Sequence, residues 1–223
     1  MSLPALLMGS VGVLAEISEL QRRAFNTAFE EHDLFWHWDD AAYRKLLEVP
    51  GCKPRIRYYA MAQGIDVDVD AIHASKMCAM KSVLDQGIPL RDGVKELIRL
   101  ARDKGVAVAV ATSAPAQLVD LVFHGLRGQL GRDDFDVIAD ASFLDEAQSP
   151  SEIYDIALTQ LGADAARSIA MEDMPEQCEA ALEAGLETYA YPGLISMGRR
   201  FPDGVHVIER PDARHLPTVF SAA

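Results

Sequence analysis

The chain has 223 residues, 49% of them hydrophobic and 25% charged, which is typical of a folded globular protein and not of a disordered one. Its formal net charge of −13 disfavours nucleic acid and anionic membranes as partners. No segment predicts a signal peptide or a membrane span, and the odd, widely spaced cysteines Cys52, Cys78 and Cys178 indicate reduced thiols. We therefore expect a cytoplasmic protein.

The first part of the chain predicts one strand followed by helices. Leu3–Met8 is short and apolar, as in a strand buried on both faces, and Gly9–Leu14 predicts a glycine-containing turn. From residue 17 apolar residues recur every three or four positions, which predicts a helix capped by Ser18. Further helices are predicted at about residues 39–47, 55–63 and 68–85. Residues 15–88 are therefore expected to form a helical insert, with Trp36–Trp38 packed in its core.

After Pro89 the pattern alternates between helices and strands. The helices are predicted at 92–104, 115–126, 151–161 and 175–184, and the strands at 106–111, 135–139, 168–171, 188–191 and 205–208. This alternation predicts βαβ units and an open parallel Rossmann-like α/β sheet, formed by residues 1–14 and 89–223. Ligands bind at the carboxyl ends of such strands, and the insert leaves the first of these ends. We therefore expect the insert to act as a lid.

Several loop segments carry motifs of one enzyme superfamily. Thr112 ends an apolar strand, the pair Glu172–Asp173 follows another, and residues 50–56 read Pro-Gly-Cys-Lys-Pro-Arg-Ile. Residues 148–154 are similar to a Lys-Pro-x-Pro-Asp-x-Tyr pattern, and residues 9–14 stand in the place of an Asp-x-Asp-Gly-Thr-Leu turn. The chain thus resembles the haloacid dehalogenase (HAD) superfamily, subfamily I, and its CbbY-like and β-phosphoglucomutase-like sugar-phosphate phosphatases. The resemblance implies a HAD-like core domain with an inserted helical cap domain.

The central residues of the phosphatase mechanism are replaced in this chain. In the family that it resembles, one aspartate attacks phosphorus, a second acts as acid and base, and a lysine and Mg²⁺ hold the charge. The matching positions are Gly9, Val11 and Gln148, and none of these side chains can take over its task. The sequence therefore predicts a HAD-like phosphatase homologue that has lost phosphoryl transfer. We expect it to act by binding or regulation, with a small phosphorylated metabolite or a protein as its partner.

Other motif residues are retained and are candidates for ligand or metal contacts. Thr112 and Ser113 are candidates for holding a phosphate oxygen, although capping of the next helix explains them as well. Glu172 and Asp173 are candidates for weak Mg²⁺ binding, and the alternative is that they are ordinary acids near the start of a helix.

Basic residues offer a second set of ligand candidates. Lys53, Arg55 and Arg57 in the insert, with Arg91, are predicted to form a basic patch, and a solvated helix face is the alternative. Cys52 lies beside them as a conceivable nucleophile, but the sequence shows no partner base.

Two further functions are compatible with the sequence. The first is an active hydrolase on a small phosphorylated metabolite that uses rearranged residues, with Glu16, Glu19 or Asp173 as its base. The second is an interaction module whose apolar turn, with Val11 and Val13, is buried against a partner.

Overall fold

A computed structural model of the chain describes residues 3–9, 11–49, 51–144 and 149–213. Gln148, at the position of the family's lysine, lies outside the described residues. The chain divides into two compact units, which we call the sheet unit (Met1–Glu16 with Gly87–Ala223) and the helical unit (Ile17–Gln86).

The sheet unit is built on a parallel six-stranded sheet with the order β3-β2-β1-β4-β5-β6. Its strands are β1 (Ala5–Met8), β2 (Ala107–Ala111), β3 (Val137–Ala139), β4 (Ile169–Glu172), β5 (Glu187–Ala190) and β6 (His206–Val207). The central strand β1 pairs with β2 on one side and β4 on the other, so that Met8 is in register with both Val110 and Met171. The predicted open parallel α/β fold is confirmed.

The helices follow the predicted segments closely. They are α1 (Val11–Leu14), α2 (Ser18–Glu31), α3 (Asp40–Leu46), α4 (Cys52–Gln63), α5 (Val69–Leu84), α6 (Val94–Asp103), α7 (Ala116–Gly125), α8 (Glu152–Leu161) and α9 (Pro175–Glu183). Within the described part of the chain, no helix combines the length and the apolar character that a membrane crossing needs.

Two local predictions differ from the structure. Residues 11–14, predicted as part of a turn, form the short helix α1. Ser18, predicted as a cap, is instead the first residue of α2, and the preceding Ile17 makes no side-chain capping bond. The sequence left open whether Asp39 or Asp40 opens the second helix. Asp39 is the N-cap residue, because its carboxylate accepts a 2.8 Å hydrogen bond from the backbone N–H of Ala42.

The helical unit packs around an aromatic core. The ring centroid of Trp38 lies 4.7 Å from those of both Phe25 and Phe29, and Trp36 lies 5.2 Å from Phe29. Asn26 fixes the backbone of Trp38, because its amide nitrogen donates to the Trp38 carbonyl at 3.0 Å and its oxygen accepts from the Trp38 N–H at 2.8 Å. The two tryptophans therefore act in core packing, as the sequence predicts.

Candidate functional site

The strand order brings three of the predicted motif segments to one edge of the sheet. Gly9 follows β1, Thr112 follows β2 and Glu172 ends β4, and β1 lies between the other two strands. The backbone N–H of Gly9 donates to the Met171 carbonyl at 2.9 Å, which ties the end of β1 to β4. The carboxyl ends of these strands therefore form the candidate site, as expected for an open parallel sheet.

Glu172 occupies the space next to Gly9. A Cβ atom added to Gly9 would lie 1.2 Å from Oε1 of Glu172 and 2.1 Å from its carboxyl carbon. Glu172 is 0% exposed, so the space that its side chain fills next to Gly9 is buried in the protein. As placed, it leaves no room for a side chain at position 9, and therefore none for the nucleophile of the family.

Asp173, the residue after Glu172, lies against a glycine in the same way. A Cβ atom on Gly12 would lie 2.0 Å from Oδ2 of Asp173, whose side chain is also buried. Both carboxylates are thus packed against glycines of the N-terminal segment. Glu172 is the last residue of β4 and Asp173 precedes Pro175, the first residue of α9. Both acids are buried and lie close before the start of α9, where the helix dipole favours negative charge.

Tyr154 holds the carboxylate of Glu172. Its hydroxyl group donates to Oε1 of Glu172 and also lies 3.3 Å from the carbonyl oxygen of Gln177. Burial, and then the charge of Glu172, raise the pKa of Tyr154 well above its ordinary value. Burial also raises the pKa of the Cys178 thiol, and the charges of Glu172 and Asp173 add to this effect. The two carboxylates therefore impose a negative potential on this side of the sheet.

The pKa of Cys178 predicts a loss of stability in alkaline solution. The ordinary thiol value is 9.0 and the folded value is raised, so the unfolded chain loses this proton before the folded chain does. The contribution to stability is complete below pH 9, and it falls above it by up to about 1.4 kcal/mol for each pH unit. We expect Cys178→Ala to reduce the fall in the free energy of unfolding between pH 9 and pH 10, measured by urea unfolding. Equal pH slopes in the two proteins would contradict this expectation.

The donor set does not fit the Mg²⁺ ion that the family resemblance implies. Magnesium requires near-octahedral oxygen coordination. Within the residues that the structure describes, no three side chains of His, Cys, Asp or Glu come together as metal ligands. The Glu172 carboxylate is instead directed into the space beside Gly9 and accepts the hydrogen bond of Tyr154. We therefore assign no step to a metal ion at this site.

The retained threonine stabilises a turn. Thr112 is buried, and its hydroxyl oxygen accepts a 3.2 Å hydrogen bond from the backbone N–H of Ala114. Ser113 is exposed, and α7 begins three residues later, at Ala116, after Pro115. The contact of Thr112 holds the turn before α7 and does not cap the helix, whose N-cap residue Pro115 makes no side-chain capping bond.

Arg91 is bound to backbone carbonyls of the sheet unit. Its guanidinium group donates to the carbonyl oxygens of Gly12 at 2.8 Å, Tyr191 at 3.0 Å and Pro192 at 2.7 Å. Its Cζ atom also lies 3.5 Å from the centroid of the Tyr191 ring. These contacts join the loop after β5 to the segment that follows β1, so they give Arg91 a structural task.

Two basic residues of the helical unit, Lys53 and Arg55, also bind other groups of that unit. Arg55 is buried, and it donates to the carbonyl oxygens of Leu46 at 2.8 Å and Val49 at 3.0 Å, at the end of α3. The alternative of a solvated helix face is therefore wrong for Arg55. Lys53 is exposed and forms a 2.7 Å ion pair with Asp70. The contacts that the structure shows for Lys53, Arg55 and Arg91 are internal to their own units.

Glu16 and Glu19, two candidate bases of a rearranged hydrolase, are hydrogen-bonded to other groups of the chain. Oε2 of Glu16 accepts a 2.7 Å hydrogen bond from the backbone N–H of Leu194. The hydrogen bond from Arg22 lowers the pKa of Glu19, which makes its carboxylate a weaker base.

The interaction module predicted from the apolar turn is not supported. Val11 and Val13 are buried within the chain itself, so they leave no apolar surface for a partner at this turn.

Comparison with known proteins agrees with the resemblance found in the sequence. A family model described as haloacid dehalogenase-like hydrolase matches residues 11–185. Protein CbbY of Cereibacter sphaeroides is 34% identical over 201 residues, which cover 88% of this chain and 87% of that protein.

Solved structures show the same relationship. A crystal structure of a CbbY mutant from Rhodobacter sphaeroides, in complex with xylulose-(1,5)bisphosphate, is similar with a TM-score of 0.83 and 32% identity, covering 93% of this chain and 94% of that one. β-Phosphoglucomutase from Clostridium difficile, at 12% identity and a TM-score of 0.77 over 98% of this chain and 97% of that one, shares the fold. The chain therefore belongs to the haloacid dehalogenase-like hydrolase family and, within it, is CbbY-like.

Proposed function

We propose that this HAD-family chain does not transfer phosphoryl groups and acts by binding. The observation that supports this proposal most directly is the position of Glu172, whose carboxylate oxygen lies 1.2 Å from the Cβ position of Gly9. A covalent phosphoenzyme requires a carboxylate on this residue. Here the nucleophile is absent and another side chain fills its space.

The electrostatics of the site supports the same proposal. Burial is the main cause that raises the pKa values of Tyr154 and Cys178, and the charges of Glu172 and Asp173 add to it. These charges also oppose the approach of a phosphate group. Phosphoryl transfer depends on positive groups that offset the charge of the transferring phosphate. At the position of the family's lysine stands the neutral Gln148, which lies outside the described residues.

The solved CbbY mutant suggests the class of ligand. That structure contains xylulose-(1,5)bisphosphate, and we propose that a related phosphorylated metabolite is a ligand of this chain and not its substrate. Because the carboxylates oppose a phosphate beside Gly9, we expect weak binding that does not require Mg²⁺. The alternative is that the chain acts by binding a protein partner. We also propose a cytoplasmic location, which the cysteines predict.

A turnover assay tests the loss of phosphoryl transfer. Wild-type protein with Mg²⁺ would be incubated with p-nitrophenyl phosphate and with xylulose-1,5-bisphosphate, and released product would be measured. We expect the rate to equal that of the protein-free control and of Asp173→Asn, which removes the charge of the remaining candidate base. Turnover in the wild type well above that of the variant would overturn the proposal and favour the rearranged hydrolase.

Calorimetric titration tests the ligand class separately. Xylulose-1,5-bisphosphate would be titrated into wild-type protein and into Thr112→Val, without metal and with Mg²⁺. We expect binding to the wild type under both conditions and weaker binding to the variant. If the wild type binds nothing, the metabolite is excluded as the ligand and the protein partner remains.

A further inference from the structure

A buried amine lies in the helical unit. Lys76 on α5 is 0% exposed, and its Nζ atom lies 3.1 Å from Oε1 of Gln21 and 3.8 Å from the sulfur of Met77. These groups are a neutral amide and a thioether, and the centroid of the Phe25 ring lies 5.3 Å from Nζ. None of these three groups carries a negative charge that would offset a buried ammonium ion. Burial is the main cause that lowers the pKa of Lys76. The neutral amine, which is a nucleophile, is therefore favoured more than in an exposed lysine.

A thiol lies next to this amine. The Sγ atom of Cys52, the first residue of α4, is 3.9 Å from Nζ of Lys76 and 4.0 Å from Oε1 of Gln21. One amide oxygen thus contacts both groups and keeps them adjacent. Cys52 is partly exposed whereas Lys76 is buried, so a small solute can reach the sulfur atom before the nitrogen atom.

We propose that Cys52 and Lys76 are a modification site, at which hydrogen peroxide produces a covalent sulfur–nitrogen (sulfenamide) cross-link. In the first step the Cys52 thiolate attacks peroxide, the O–O bond breaks, hydroxide leaves, and the sulfur is oxidised by two electrons to a sulfenic acid. In the second step the Lys76 amine attacks this sulfur. The S–N bond forms, the S–O bond breaks, and the hydroxyl group leaves with a proton of the amine as water.

The surroundings of the pair favour the second step over further oxidation. The amine lies at van der Waals distance from the sulfur before the reaction, so the sulfenic acid forms next to its acceptor. The four-carbon stem of lysine is flexible enough to close the remaining distance. The link also removes a buried group that would be costly to charge. Nothing in this inference depends on the proposed function.

Mass spectrometry of the full-length protein tests the cross-link. Wild-type protein would be treated with increasing hydrogen peroxide, digested without reduction and analysed for linked peptides. We expect a species that joins the Cys52 and Lys76 peptides, lacks two hydrogen atoms relative to their sum, and separates on treatment with a thiol reductant. A link that retains an oxygen atom would contradict the sulfenamide step.

The chain offers matched controls. Cys78 is an exposed thiol on α5 and reports the peroxide dose. With Lys76→Met, which keeps an unbranched side chain without the amine, we expect Cys52 to proceed to sulfinic acid with no linked peptide; Cys52→Ser should give no link. The proposal is overturned if, in the wild type, Cys52 remains a thiol or becomes sulfinic acid at the dose that oxidises Cys78, without the linked peptide. Because this outcome is measured on the wild-type protein, it does not depend on whether a variant folds.

Discussion

Replacing Gly9 by aspartate is expected to destabilise the protein instead of restoring a nucleophile. The new Cβ atom would overlap the carboxylate of Glu172, which is fully buried and accepts the hydrogen bond of Tyr154. The substitution also places a second charge beside a buried carboxylate. We expect the free energy of unfolding to fall by about 3 kcal/mol for Gly9→Asp. Gly9→Ala introduces the steric overlap with Glu172 but no charge, and we expect a fall of about 1–3 kcal/mol. Urea unfolding at neutral pH measures both values.

Two comparisons separate this effect from a general cost of replacing glycine. Gly131 has a negative φ of −130°, and a Cβ atom there would meet its first neighbour, Asp134, at 3.9 Å, an ordinary contact. Gly131→Ala should therefore change the free energy of unfolding by less than about 0.5 kcal/mol. In a Glu172→Ala background, Gly9→Ala should cost little, which gives a coupling of at least about 1 kcal/mol. Additive effects of the two substitutions would show that Glu172 does not occupy the space next to Gly9.

Arg91→Ala is expected to cost about 3 kcal/mol of stability, because it removes charged donors from three backbone carbonyls. The carbonyls of Gly12, Tyr191 and Pro192 would need water in place of the guanidinium group, and the stacking on the Tyr191 ring would be lost. Arg91→Lys keeps the charge but not the planar set of donors, and we expect it to recover less than half of the loss. Thermal and urea unfolding of the three proteins measure these effects.

This prediction distinguishes a structural arginine from a ligand-binding one. If Arg91 served only to bind a ligand, as part of the basic patch predicted from the sequence, its replacement would weaken ligand binding and leave stability unchanged. Lys53→Ala is the matched control, because Lys53 is an exposed cation whose partner is the exposed Asp70. It should change stability by about 0–1 kcal/mol. An Arg91→Ala protein as stable as Lys53→Ala would contradict the structural assignment.

The fold was predictable from the sequence, because its signals are local. The apolar run that contains β2 and the amphipathic periods of the helices depend on neighbouring residues. The replacement of the nucleophile was also visible, since Gly9 follows the first strand. What fills the resulting space was not visible, because the Glu172 side chain comes from β4, far along the chain.

The tasks of the basic residues could not be predicted for a related reason. The charge of Arg55 suggested solvent or a ligand, but its partners are the carbonyl oxygens of Leu46 and Val49 at the end of α3, and only the packing of the helical unit brings them within reach. The pair of Lys76 and Cys52 is similar, because the two residues lie on different helices and share no sequence motif. Sequence patterns indicate which residues are polar, but not which backbone groups they satisfy.

The central place of β1 in the sheet has a consequence during protein synthesis. Its partners, residues 107–110 in β2 and 169–171 in β4, leave the ribosome long after β1 itself. At about 5–20 residues per second, the delay before β4 is made is roughly 8–30 seconds. All residues of the helical unit, Ile17–Gln86, are translated within that interval. Until β4 is made, the nascent chain therefore carries an apolar strand that lacks at least one of its two neighbours, and in this period chaperones have an exposed segment to protect.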